Sequence, residues 1–224
     1  MALLPVPAIL FRLIFAKIIR RPPMRRIFSK LAFAPVLGLC LSLSLTIILG
    51  TGLVEAAQTD AKKPLVVYFS RSGNTQKVAE NIHKLVGGDL VRIELVNPYP
   101  DDYQQTVDIA KKEQQDNARP AVKTKIANLD DYGVIFLGCP NWWSGVPMPV
   151  CAFIEQNGLN GHTIAPFVTH GGGGLGHIMG DLKKLLPNSE ILKPLSVSGS
   201  AAGKSMDQVK NWIDSLGMAT RVSN

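Results

Sequence analysis

Cysteine is scarce in this 224-residue chain: Cys40, Cys139 and Cys151 are too few for a disulfide scaffold, and no Cys/His spacing resembles a metal site. Cys139 ends an apolar run and Cys151 falls on an expected helix, so both read as small buried hydrophobes rather than nucleophiles. Acidic residues are nearly missing from the front of the chain, where residues 1–57 carry seven basic side chains and only Glu55 against them. The remainder holds 17 basic and 16 acidic residues and is close to neutral, which leaves no electrostatic case for nucleic acid. Internal repeats and low-complexity tracts are lacking as well. The hydrophobic content of 46% suffices for a packed core and excludes a disordered chain.

Charge is also lacking across residues 31–54, a run preceded by the basic cluster Arg25, Arg26 and Lys30. A basic end, an apolar run and then Val54-Glu55-Ala56 describe a secretory signal spanning residues 1–57. Arg25-Arg26-Ile27-Phe28-Ser29-Lys30 resembles the twin-arginine motif, which implies export of a folded protein to the periplasm and suits a cargo loaded with its cofactor beforehand. The same run is long enough to stay as a membrane anchor, since roughly 20 apolar residues span a bilayer. In both readings the export machinery and the membrane meet the N-terminal segment alone, and the domain faces outward. Residues 2–19 form a second apolar stretch ahead of Pro22-Pro23, and Met24 is the conventional start for such a signal. A short linker, 58–63, leads to the body at 64–220.

In the body, strands and helices alternate. Residues 65–69, 90–95, 133–137, 163–169 and 191–197 read as short β-rich apolar strands. Helical spacing occupies 75–86, 104–116, 176–186 and 206–216. This order predicts one α/β domain, a doubly wound parallel sheet of five strands. Residues 97–127 are longer than one crossover needs and read as a surface helix covering the sheet, with Tyr99 and Tyr103 within it serving packing or reaching a ligand.

Ligands of such sheets bind beyond the carboxyl ends of the strands, and three strand ends here are unusual. The first is Ser70-Arg71-Ser72-Gly73-Asn74-Thr75, whose hydroxyls, amide and glycine at a helix start suit a phosphate. No Lys-Ser/Thr pair closes it, which excludes the P-loop of nucleotide hydrolases. The second, Pro140-Asn141-Trp142-Trp143-Ser144-Gly145, offers aromatic faces to a flat ring, or a lid against a neighbouring helix. The third, Thr169-His170-Gly171-Gly172-Gly173-Gly174-Leu175-Gly176, formally satisfies the dinucleotide fingerprint, with Glu190 about 20 residues on as its acid. That fingerprint belongs to the first strand–helix turn, and close approach of backbone to a ligand explains the glycines equally well. His170 either faces the ligand or caps the glycine turn.

The three loops together resemble those of flavodoxins, over residues 64 to about 217. The resemblance implies a sheet of order 2-1-3-4-5 and FMN as cofactor. Its phosphate would fall to Ser70, Arg71, Ser72, Gly73, Asn74 and Thr75. Its ring would lie against Pro140, Asn141, Trp142 and Trp143, with Thr169, His170, Gly171, Gly172 and Gly173 at the polar edge. Carrier flavodoxins are strongly acidic and this body is not, so the chain is most similar to flavodoxin-like proteins grouped with NAD(P)H-dependent FMN reductases. A flavin oxidoreductase is therefore expected, with a nicotinamide, a quinone or a redox protein as partner. A one-electron carrier and a flavin-binding module without turnover are the alternatives.

Overall fold

The computed structural model describes residues 62–220; the expected leader, Cys40 and most of the linker lie outside the described residues. Five parallel strands form one sheet in the order β2-β1-β3-β4-β5, as the resemblance implies. They are β1 (Lys63–Tyr68), β2 (Asp89–Arg92), β3 (Tyr132–Pro140), β4 (Ile164–His170) and β5 (Leu195–Ser198). The helices between and after them are α1 (Asn74–Val86), α2 (Tyr103–Gln115), α3 (Met148–Asn157), α4 (Ile178–Leu185) and α5 (Met206–Ser215). Short 3-10 turns occupy Leu129–Asp131 and Gly199–Lys204.

Continuous apolar runs in the central strands follow from burial on both faces. Leu65, Val67, Ile135, Leu137 and Cys139 point to one core, shared with Phe153 and Ile154 of α3 and Leu182 of α4. Val66, Tyr68, Phe136 and Phe167 point to the other, shared with Val78 and Ile82 of α1 and Trp212 and Ile213 of α5. Each fully buried Leu, Ile or Phe removed from water contributes roughly 1.5–3 kcal/mol before entropy is subtracted. Both cysteines of the body are buried and free, and burial pushes the Cys139 thiol well up and the Cys151 thiol to about 11.

Three elements differ from the sequence expectation. Strand β2 ends at Arg92, because Leu95 leaves the ladder and pairs antiparallel with Val122. Strand β5 begins only at Leu195, after Pro194, which has no N–H for a ladder, while Ile191 makes one separate bridge to Ile164. Helix α4 starts two residues late because Gly176 adopts φ 52°, a left-handed conformation no helix admits.

The tightest place in the sheet is Gly138 of β3, directly opposite Phe167 of β4. A Cβ on Gly138 would lie 2.1 Å from the Phe167 ring, which is fully buried. Gly138→Ala is expected to lower stability by about 1–3 kcal/mol, seen as an earlier urea midpoint. Gly180→Ala, in open space on α4, should instead raise the midpoint, since glycine costs roughly 0.5–1 kcal/mol against alanine inside a helix.

Candidate functional site

Because the strands are parallel, the three unusual loops leave the sheet at the same edge. The first begins at Ser70, buried, whose Oγ accepts the Gly73 N–H at 3.1 Å and so curls the backbone. Gly73 completes the turn with φ 83°, which glycine adopts without strain. It is the residue preceding α1, and no side chain caps that helix. The first helical bond runs from Lys77 N–H to Gly73 carbonyl, and among the described residues no protein acceptor meets the N–H groups of Asn74, Thr75 or Gln76. Helix α2, in contrast, is capped by Asp102, whose carboxylate accepts from Gln105 N–H at 2.8 Å. The open end of α1 is thus a set of aimed donors at the positive end of a helix dipole, the chemistry an anion requires.

A buried hydrogen bond of 2.7 Å joins Thr75 Oγ1 to Thr169 Oγ1 at the end of β4, across 94 positions of sequence. One hydroxyl donates to the other, so the second keeps its proton for a further acceptor. Arg71 stands beside this loop with its guanidinium committed elsewhere: Nε donates to Thr106 Oγ1 at 3.2 Å and an Nη to the Asp101 carbonyl at 2.6 Å.

In the second loop, Trp142 and Gly145 exchange backbone hydrogen bonds around Trp143 and Ser144, which have φ 49° and 62°. This tight turn forces two non-glycine residues into the left-handed region, at a cost on the order of 1–3 kcal/mol each. Surrounding bonds hold it: Ser144 carbonyl accepts from His177 N–H at 2.5 Å, and Trp143 Nε1 donates to the Val107 carbonyl at 3.1 Å. The two tryptophans consequently reach different neighbours. Trp142 sits edge-on to Phe69 and to Tyr99, ring centroids 5.3 Å apart in both pairs, whereas Trp143 lies on α2 with the Lys111 ammonium 4.9 Å from its ring centre.

Between the first loop, Trp142 and the end of β4 opens a cleft of about 430 Å³. Ser70, Ser72, Asn74, Thr75, Thr169, His170 and Gly171 line it, together with Pro140, Asn141 and Arg71. An apolar recess of about 410 Å³ adjoins it and shares Arg71, Ser72, Tyr103, Asn141 and Trp142, with Trp143, Val107 and Ala110 as further walls.

A sequence profile of the flavodoxin family matches residues 63–216. The chain belongs to the flavodoxin family. Among solved structures, a candidate flavoprotein from Bacteroides eggerthii is 33% identical, with TM-score 0.60, over 70% of this chain and 98% of that one. A candidate flavoprotein from Bacteroides uniformis is 29% identical with TM-score 0.62, over 69% and 99%. A flavoprotein in complex with FMN from Lactobacillus acidophilus is 24% identical with TM-score 0.54, over 64% and 98%, a likeness of fold. No curated protein matches the chain significantly.

Within this flavodoxin framework, several residues singled out from sequence lie elsewhere than expected. Trp143 walls the recess but not the main cleft. Gly172 and Gly173 stand outside the cleft lining; His170 Nδ1 accepts the Gly172 N–H at 3.1 Å and so caps the glycine turn. Gly176 serves the protein and not a ligand, since a Cβ there would lie 2.3 Å from the Ser144 carbonyl oxygen. Glu190 cannot serve a dinucleotide at this edge, because its backbone and carboxylate accept from Ile164 and Thr163, at the opposite end of β4. Tyr103, read from sequence as packing or reaching a ligand, also lines the cleft, and unforeseen there is the stretch Ser198-Gly199-Ser200 at the end of β5. A run of small residues at the end of the last strand, Ser198 to Gly203, was the signal that could have found this stretch.

Behind the cleft, the Tyr99 hydroxyl donates to Glu113 of α2, which fixes the aromatic cluster. Burial pushes the Glu113 carboxyl above its ordinary value of 4.5, while the Tyr99 bond acts in the other direction. The folded state therefore holds this proton to a higher pH than the unfolded chain does. On this group's account stability falls as pH rises from about 4.5 through the raised pKa. Glu113→Gln keeps an acceptor for Tyr99 and is expected to flatten that slope. Urea midpoints of both proteins across pH 4 to 8 would check it, with parallel curves refuting it.

Proposed function

We propose that this flavodoxin-family chain binds FMN in the cleft and works as an oxidoreductase exchanging electrons with a nicotinamide or a quinone. The donor set fits the group. The free N–H groups opening α1, the spare hydroxyl of the Thr75–Thr169 pair and the Ser72 hydroxyl would hold the phosphate. Arg71, which also lines the cleft, spends Nε on Thr106 Oγ1 and one Nη on the Asp101 carbonyl. Trp142 and Asn141 would bound the ring, and the Asn141 amide, donating to the Gly174 carbonyl at 2.8 Å, keeps the second and third loops together. FMN supplies, when bound, transfer of one or two electrons at its ring.

The observation that carries the oxidoreductase reading is the apolar recess joined to the cleft. It offers a second flat molecule a place beside the first, between Trp142, Trp143 and Val107. A carrier needs a charged docking face, and a body of 17 basic and 16 acidic residues does not supply a strong one. The purified chain is expected to be yellow with one FMN, and NADH, NADPH or a reduced quinone added without oxygen should bleach it within the mixing time. Reduction only by a redox protein would establish the carrier instead.

Thr75→Val, which keeps the shape and removes the hydroxyl, should weaken FMN about tenfold or more, the scale of a hydrogen bond to a charged group, and weaken riboflavin much less. Fluorescence titration with both flavins decides it; equal losses would place the phosphate elsewhere.

Residues 1–57 are proposed to direct the folded domain across the inner membrane through Arg25-Arg26, leaving it in the periplasm. Lysine keeps the charge without the guanidinium geometry. Arg25→Lys with Arg26→Lys should therefore retain folded, yellow protein in the cytoplasm, measured by fractionation, and undiminished delivery would indicate a general signal or a plain anchor.

A further inference from the structure

The stretch between β2 and β3 that is longer than a crossover requires builds a second cleft, which the flavin reading does not use. Beyond β2 the chain continues as a short antiparallel pair: Leu95 bridges Val122, Val96 N–H donates to the Ala121 carbonyl and Lys123 N–H to the Glu94 carbonyl, both at 2.8 Å. Facing this pair is the strap Pro98-Tyr99-Pro100-Asp101. Two prolines stiffen the strap, and Arg71 pins it through the Pro100 and Asp101 carbonyls. The walls enclose about 510 Å³, within the range of small-molecule sites. This space shares only Ser70 and Arg71 with the flavin cleft.

Its lining divides by chemistry. Phe69, Ile93, Leu95 and Tyr99 supply an apolar floor, of which Phe69, Ile93 and Leu95 are buried. Arg71, Arg92 and Lys123 surround it, with Glu94 and Asp101 also at the rim. Ion pairs of this domain include Lys63–Asp89 and Arg119–Glu155, both at 2.7 Å. In this cleft, among the described residues, none of the three cations has a carboxylate within 4.0 Å, although two carboxylates line the same space. Arg92 spends one Nη on the Ser70 carbonyl at 2.9 Å, and the Lys123 ammonium makes no side-chain bond there. With Arg71 holding the strap, an apolar floor beneath the spare donors of Arg92 and Lys123 selects a molecule with an apolar body and one anionic group.

We propose that this cleft is a second ligand site, taking a small aromatic or branched apolar anion, a carboxylate or a phosphate monoester. The proposal stands independently of FMN in the other cleft.

The test is titration of the full chain, isotope-labelled and followed by amide NMR shifts, with benzoate, phenyl phosphate, neutral benzamide and inorganic phosphate. Benzoate or phenyl phosphate should move Ile93, Leu95 and Lys123 and leave Asn74 and Gly171 in place; the tighter of the two identifies the anionic group. Benzamide and inorganic phosphate should each bind at least tenfold more weakly than the better probe. Lys123→Glu, an exposed substitution, should weaken that probe at least fivefold while the flavin spectrum stays unchanged. The proposal is overturned if benzamide binds as well as benzoate, or if inorganic phosphate matches phenyl phosphate. Shifts confined to Asn74 and Gly171, or a Lys123→Glu chain that binds like its parent, would overturn it equally.

Discussion

Parallel pairing of β1, β3 and β4 is the constraint from which the site follows. A parallel ladder obliges each connection to return along the outside of the sheet, through α1, α2 or α3, so every strand ends at the same edge. Ser70, Pro140 and Thr169, separated widely in sequence, meet there without any bond devised for that purpose. The Thr75–Thr169 hydroxyl pair then fixes the spacing of the first and third loops, and Asn141 ties the second to the third. Register matters for the same reason. Were β4 to slip by one residue against β3, Phe167 would leave the space that Gly138 vacates, and Thr169 would turn away from Thr75.

The strands were legible because burial on both faces writes itself into composition: Val66, Val67, Phe136 and Val168 need no periodicity to be recognised. Loops one to three were legible because hydroxyls, paired tryptophans and glycines are unusual at strand ends. What escaped depends on contacts distant in sequence. Leu95 continues an apolar run and reads as strand, yet its partner is Val122 and not Tyr68 or its neighbours. Arg71 among four hydroxyl or amide residues reads as a cofactor ligand, and only the fold shows that Thr106 and the Asp101 carbonyl claim it first. Adjacent tryptophans read as one aromatic wall. The left-handed backbone at Trp143 separates them, a conformation no local pattern announces in a residue of that size.

Electrostatically the cleft at the ends of β1 and β4 departs from a simple picture of anion recognition by positive side chains. Its attraction rests on backbone donors, hydroxyls and a helix dipole, all of fixed orientation, while the guanidinium nearest to it holds the neighbouring strap in place. Such donors require little reorganisation when an anion arrives, and salt screens them less than exposed lysines.

The uncapped start of α1 has a consequence for the stability of the chain. Three amides that meet no acceptor among the described residues leave the first helical turn without the cap that Asp102 gives α2, so that turn is prone to fray. An anion seated there completes the helix, and stability then rises with the logarithm of its concentration over its dissociation constant.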